Sequence, residues 1–360
     1  MIIELEKRQQ HSALFSMLSP FIALALTVAV GALMFWLLGK SPSVALYTYF
    51  VEPLMDPWSR EQIIIKATPL ILIAVGLTVC FRSGNWNIGA EGQYLIGGMM
   101  GSVLPVFFND WNSPLLLPMM MVMGMLGGAL FAAIPAFLKT RFDTNEILTS
   151  LMLVYVAQQL VDWVVRGPWR DPKGMGFPGT KSFNDNAILP DLWAGGEAHW
   201  GTVFAVLAAV IVWIMLAKTL KGFEVTVLGQ SPRAGRFSGF SAKKMTIFAF
   251  LLSGALAGLA GIAEVSGSVE KLDDKLSLGY GFTAIIVAFL GRLNPLGVVA
   301  AGLILALSHI GGEAAEISLG VSNRATRVFQ GMLLFFVLAS DTLIHYRIRF
   351  FTRSGSKGAT

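Results

Sequence analysis

Apolar runs long enough to cross a bilayer recur from one end of this chain to the other, and no other feature of the sequence restricts its fold as tightly. A helix needs about 20 residues to traverse roughly 30 Å of hydrocarbon, where every backbone N–H and C=O must be paired inside the segment. The runs cover residues 17–38, 63–81, 88–108, 115–138, 147–165, 200–217, 245–263, 282–290, 296–310 and 328–344, the eighth and ninth being short. They predict an all-α polytopic membrane protein of about ten transmembrane helices. The residue balance agrees, with 54% hydrophobic and 14% charged residues against about 25% charged in soluble domains. Residues 17–38 follow a polar head carrying Lys7 and Arg8. The run is too long for a cleaved signal peptide, and Ala23-Leu24-Ala25 lies inside it rather than after it, so a retained first span is expected.

Lys and Arg concentrate in the segments that share a side with the N-terminus, including the stretches around Arg82, Lys139, Lys218 to Lys244 and Arg347 to Lys357. The positive-inside rule then puts both termini in the cytoplasm. The expected domains are a cytoplasmic head (1–16), a transmembrane domain (17–346) with an external loop (167–199) and a cytoplasmic loop (218–244), and a cytoplasmic tail (347–360). With this topology the second to fifth and seventh to tenth spans form two inverted four-helix repeats, an arrangement common in transporters. The net charge of +5 reports orientation and gives no reason to expect a nucleic-acid partner. A lone cysteine, Cys80, excludes an intrachain disulfide and a cysteine-based metal cluster.

Two segments carry more information than the rest. "FRSGNWNIGAEGQYLIGG", from Phe81 to Gly98, sets glycines and polar residues inside an apolar region. Irregular backbone at membrane depth has to be buried in protein or line a watery cavity. Glycines let the chain break and re-enter as a new helix, Asn85 or Asn87 can cap its freed N–H groups, and Glu91 falls in the first turn, where the helix dipole favours a carboxylate. Asn87 and Glu91 thus fit either a structural brace or a substrate contact, and Gly-rich entries at the third and eighth spans fit either a repeat or close helix packing. The second segment, "KTLKGFEVTVLGQSPRAGRFSGFSAKK", is basic and long. Ser231-Pro232 has the order of a helix start and Gly239 that of a stop, which predicts a short helix across the cytoplasmic face. Its cations suit a protein partner or anionic lipid heads.

At these two segments the chain resembles the permease subunits of bacterial ABC importers, in the nucleoside and simple-sugar branch of the branched-chain amino acid, ribose and nucleoside permease superfamily. "NIGAEGQ" is similar to the branch's NIG-x-EGQ motif, and "GQSPRAGRFSGFSAKKM" to its cytoplasmic coupling segment; "TNEILTSLMLVYVA" and "GYGFTAIIVAFLGRLNPLG" match in order and position. The resemblance implies a transport subunit of the bacterial inner membrane that is not itself an enzyme. It also implies a partner ABC ATPase that hydrolyses ATP, a second and different permease, and a periplasmic or lipoprotein substrate-binding protein. Nucleosides or related purines are the implied substrates, with simple sugars such as ribose as the alternative. Gln230, Ser231, Arg233, Arg236, Phe237 and Phe240 become the coupling residues. The chain itself has no Walker A motif: Gly39-Lys40-Ser41 lacks the leading glycine, Met34 standing in its place.

Polar residues inside the spans should face protein or water. Gln158, Gln159 and Asp162 fit the outer half of a pore, or for Asp162 the external interface. His309, Glu313 and Glu316 follow at helical spacing, His309 fitting equally an interhelical hydrogen bond. Trp86 stands before Asn87, where the resemblance also shows smaller or aliphatic residues, and it suits stacking on a planar base or helix packing. The expected substrate-pathway residues are therefore Trp86, Asn87, Glu91, Gln93, Gln158, His309 and Glu313. No catalytic constellation and no metal-ligand spacing is present. A gradient-driven secondary transporter is the rival from another class, since inverted repeats serve it as well.

Overall fold

The computed structural model describes residues 2–7 and 13–351. Its helices, in chain order, are α1 (Ala13–Leu37), α2 (Pro42–Phe50), α3 (Glu52–Met55), α4 (Pro57–Arg82), α5 (Ala90–Gly101), α6 (Val103–Phe107), α7 (Leu116–Phe142), α8 (Glu146–Arg166), α9 (Gly201–Lys218), α10 (Leu220–Gln230), α11 (Pro232–Phe237), α12 (Ala242–Glu264), α13 (Tyr280–Leu290), α14 (Pro295–Leu319) and α15 (Asn323–His345). Each predicted run falls on one helix, except the third, which falls on two. Among the described residues six helices, α4, α7, α8, α9, α12 and α14, are long and apolar enough to cross a membrane.

Two expectations need correction. The third span is not one helix: α5 has 12 residues and ends where α6 begins, and a 12-residue helix reaches only about 18 Å. The ninth is not short, because α14 runs for 25 residues straight through Gly311 and Gly312. The all-α class holds, with one short ladder beside the helices. Ile2–Lys7 (β1) pairs antiparallel with Tyr346–Phe351 (β2), Ile2 opposite Phe351, so part of the expected head and part of the expected tail form one ladder.

The chain divides into two compact units, one of residues 52–311 and one of residues 1–51 with 312–360. In the larger, α4 and α12 are the most enclosed of the spanning helices. Small residues let α12 approach its neighbours at backbone distance. A Cβ on Gly97 of α5 would lie 2.1 Å from the Gly258 backbone, and one on Gly128 of α7 would lie 2.2 Å from the Gly254 carbonyl. Lipid supplies no hydrophobic drive between helices, so such close van der Waals packing is what holds them. By contrast α7, α8 and α9 turn Leu126, Leu130, Phe137, Met152, Tyr155, Leu207 and Ile211 outward, as helices bounded by acyl chains do.

The smaller unit has its own core of Phe35, Ala45, Tyr49, Ala315, Val321 and Phe329. Tyr49 and Phe329 pack ring to ring with centroids 5.1 Å apart, and Phe329 covers Gly31, where a Cβ would come within 2.5 Å of the ring.

Candidate functional site

Between α4 and α5 the chain leaves helical geometry yet stays buried. Gly84 supplies a left-handed turn at φ +73. The side chains then take over the hydrogen bonding that the backbone has given up. Asn85 accepts from Lys139 Nζ and from Thr246 Oγ1, both at 2.9 Å, and donates to Ser83. Lys139 in turn bridges to Glu146, so the break is fastened to α7, α8 and α12 together. Asn87 and Gln93 form a reciprocal amide pair (2.9 and 3.0 Å), while Asn87 Oδ1 also accepts from Gly89 N–H and Nδ2 donates to Ser253.

Glu91 sits in the first turn of α5, as expected, but its carboxylate serves another helix. Oε1 accepts from Gly279 N–H at 3.0 Å and Ser277 Oγ at 3.2 Å, and Oε2 from Gly281 N–H at 2.6 Å. Those amides open α13. The two short helices therefore start at one point, so close that a Cβ on Gly281 would fall 2.2 Å from the Glu91 nitrogen. Two helix N-termini, each equivalent to about half a positive charge, share a single buried carboxylate.

The expected pathway residues thus separate. Asn87, Glu91 and Gln93 are buried and engaged by protein groups. Trp86 is 44% exposed and stacks on Phe289 at 6.1 Å beside Phe81. His309 lies near Tyr280, ring centroids 6.3 Å apart, whereas Glu313 belongs to the smaller unit. Gln158 faces a cavity of about 190 Å³ together with Gln159, Asp162, Leu95, Val161, Asp274 and Ser277. The last two come from the segment before α13, and their membership had no signal in the spacing along α8.

The 167–199 loop is ordered against that same segment. Thr180 N–H donates to Leu272 O, Phe183 N–H to Glu270 O and Leu189 N–H to Ser266 O, each at 2.9 Å. His199 is buried beneath it, its Nδ1 accepting from Gly201 N–H and its Nε2 facing Ser268 Oγ. Burial pulls the imidazole pKa down to about 4, against a smaller opposing pull from Asp191, so the ring is neutral at physiological pH.

At the other end of the helices, Ser231 precedes α11 and Gly239, at φ +83, follows it. The helix is where the Ser-Pro and Gly signals put it. Gly235 is buried against Leu228 of α10. The two phenylalanines differ: Phe240 packs edge-on against Phe223, while Phe237 is 95% exposed. A groove of about 590 Å³ beside α11 is lined by Lys139, Arg141, Arg236 and Lys243 among others. Lys139 therefore belongs both to this basic groove and to the break at Asn85.

The family model described as "Branched-chain amino acid transport system / permease component" matches residues 59–338. The glucose ABC transporter permease protein TsgB13 of Haloferax volcanii is 36% identical, over 96% of this chain and 93% of that protein. The guanosine ABC transporter permease protein NupP of Bacillus subtilis is 31% identical, over 96% of each. The nucleoside ABC transporter permease protein NupB of Lactococcus lactis is 28% identical, over 89% of this chain and 90% of that protein. With one family model spanning most of the chain and relatives aligned along nearly its whole length, the chain belongs to the branched-chain amino acid transport system permease family, as a multi-pass inner-membrane ABC permease subunit and not an ATPase.

Proposed function

We propose that the chain forms half of an ATP-driven import pathway for nucleosides or related purines. The observation that carries this reading is the meeting of α5 and α13, two helices too short to span, start to start at Glu91. Half-helices that begin inside the membrane are how transporters present helix N-termini and unwound backbone at a central site. The names of the guanosine and nucleoside relatives support the substrate class. The glucose relative, at the highest identity of the three, favours simple sugars as the second reading.

In this reading α4, α5, α7 and α8 form one repeat and α12, α13, α14 and α15 its inverted counterpart, the ten spans being completed by α1 and α9. The β1–β2 pairing of residues 2–7 with 346–351 supports putting these two segments on one side, which in this reading is the cytoplasm. The ATPase implied by the family docks on α11, with Phe237 as apolar anchor and Arg233 and Arg236 at the rim. Gln230 and Ser231 set the start of that helix. A second, different permease completes the pore and a binding protein delivers substrate. Asn87, Glu91 and Gln93 brace the pathway while Trp86, Gln158 and His309 border it.

Reconstitution tests the reading. Proteoliposomes holding the complete complex should accumulate labelled guanosine only with ATP on the ATPase side. Uptake by this chain alone, driven by a proton or sodium gradient, would instead make it a secondary transporter.

A further inference from the structure

We propose that the cavity beside α8 is a subsite for one hydroxylated ring, the ribosyl part of a nucleoside or a free monosaccharide; this rests on the import reading above. Size gives the first restriction. At about 190 Å³ the cavity lies below the ~300 Å³ at which sites for whole drug-sized ligands begin. That size matches a single ring, with any attached base lying outside the cavity.

The polar groups give the second. Gln159 makes no hydrogen bond to the described residues, leaving its carboxamide free to donate and accept. Gln158 donates to Ser277 Oγ and keeps its carbonyl oxygen unbonded. Asp162 and Asp274 each give one oxygen to Arg166 and retain the other. Amide and carboxylate edges of this kind suit hydroxyl groups, which donate and accept at once. Leu95 and Val161 supply apolar wall for the C–H faces of a ring. Other ligand classes fit less well. The two carboxylates outnumber the one guanidinium and repel a phosphate, that guanidinium weakens the pull on a cation without cancelling it, and no aromatic side chain lines the space to stack on a base.

Position gives the third. Ser277, which accepts from Gln158, donates to Glu91. A ring held here lies one hydrogen bond from the carboxylate that joins α5 to α13.

The subsite also accounts for a family whose members are named for guanosine and for glucose, because a hydroxylated ring is what those two molecules share. The test uses the complete complex, with ATPase, both permeases and binding protein, in proteoliposomes. The probes are guanosine, its 2′,3′-dideoxy analogue, ribose and 2-deoxyribose. Gln159→Ala removes an exposed, unbonded side chain, so co-purification of the complex should be unchanged. Uptake of the hydroxylated probe should fall about tenfold, the upper end for one lost hydrogen bond, while its deoxygenated counterpart stays within about twofold. Wild-type uptake of ribose but not guanosine assigns the ring to a free sugar and supports the subsite through the ribose pair. Equal losses for both members of a pair, or no loss, overturn the subsite and leave the import reading standing. A wild-type complex that moves none of the probes overturns the import reading and the subsite with it.

Discussion

Glu91 is the residue on which the arrangement depends, because its carboxylate accepts from three donors at the start of another helix. Replacing it with leucine leaves the Gly279 and Gly281 amides and the Ser277 hydroxyl without their acceptor. An unsatisfied buried donor costs about 1–3 kcal/mol, and of the three only the Gly281 amide is buried while Gly279 is half-buried and Ser277 exposed, so Glu91→Leu should destabilise the larger unit by roughly 3 kcal/mol and abolish uptake. Glu91→Gln keeps one acceptor oxygen and nearly the same volume; it should assemble, with a loss of about 1–2 kcal/mol. Thermal denaturation of the purified complex separates the two, and a leucine variant as stable as the native chain would remove the bracing role. The sequence placed Glu91 in a first turn correctly but assigned it to its own helix. Its partners lie 188 and 190 residues away, and no local spacing reports such a pairing. Asn87 and Gln93, six residues apart, were within reach of sequence reasoning; Asp274 and Ser277 as neighbours of Gln158 were not.

Among the elements, α11 was the most legible and the third span the least. Ser-Pro at the start and glycine at the stop act within a few residues of themselves, so α11 could be read without its surroundings. The third span reads as one apolar run because hydropathy does not register where a helix begins. Its break depends on Gly84, on the Asn87–Gln93 pair and on a carboxylate bond to a distant helix. Packing also separates Phe237 from Phe240, which the sequence treats alike. Phe237→Ala removes a ring that touches little of its own chain, so the fold should be unaffected while ATPase co-purification weakens about 30-fold, the effect of losing a contact worth ~2 kcal/mol. Gly235→Pro deletes the Gly235 N–H bond to Ser231 O and should cost about 3 kcal/mol within α11. It leaves every positive charge in place. Contact with lipid heads through charge alone survives both changes, so a complex that still couples ATP hydrolysis to uptake in both variants would assign the loop to the membrane surface.

For the whole molecule, the open question of physical arrangement is which segments share a side, and the chain's own chemistry offers a clean way to ask it. Its single cysteine, Cys80, is buried in α4, so the native protein should be silent to a membrane-impermeant maleimide and any engineered surface cysteine reports alone. Asp110, Lys173 and Ser238 are exposed positions between helices and Arg141 is exposed in the last turn of α7, all suited to single replacements by cysteine. One crossing, α9, separates Lys173 from Ser238, and one, α8, separates Arg141 from Lys173. The proposed topology puts Arg141 and Ser238 in the cytoplasm. Arg141→Cys and Ser238→Cys should therefore label only in inside-out vesicles, and Lys173→Cys only in right-side-out ones. Asp110→Cys is the decisive position. It follows α5 and α6, neither of which reaches across a bilayer unaided, yet α7 lies between it and Arg141 and is 27 residues long. If the irregular segment 83–89 carries the chain to mid-depth and α5 completes the crossing, Asp110→Cys labels with Lys173→Cys. Labelling on the side of Arg141 would mean that this part of the chain turns back instead of crossing, and the paired half-helix arrangement would fall with it.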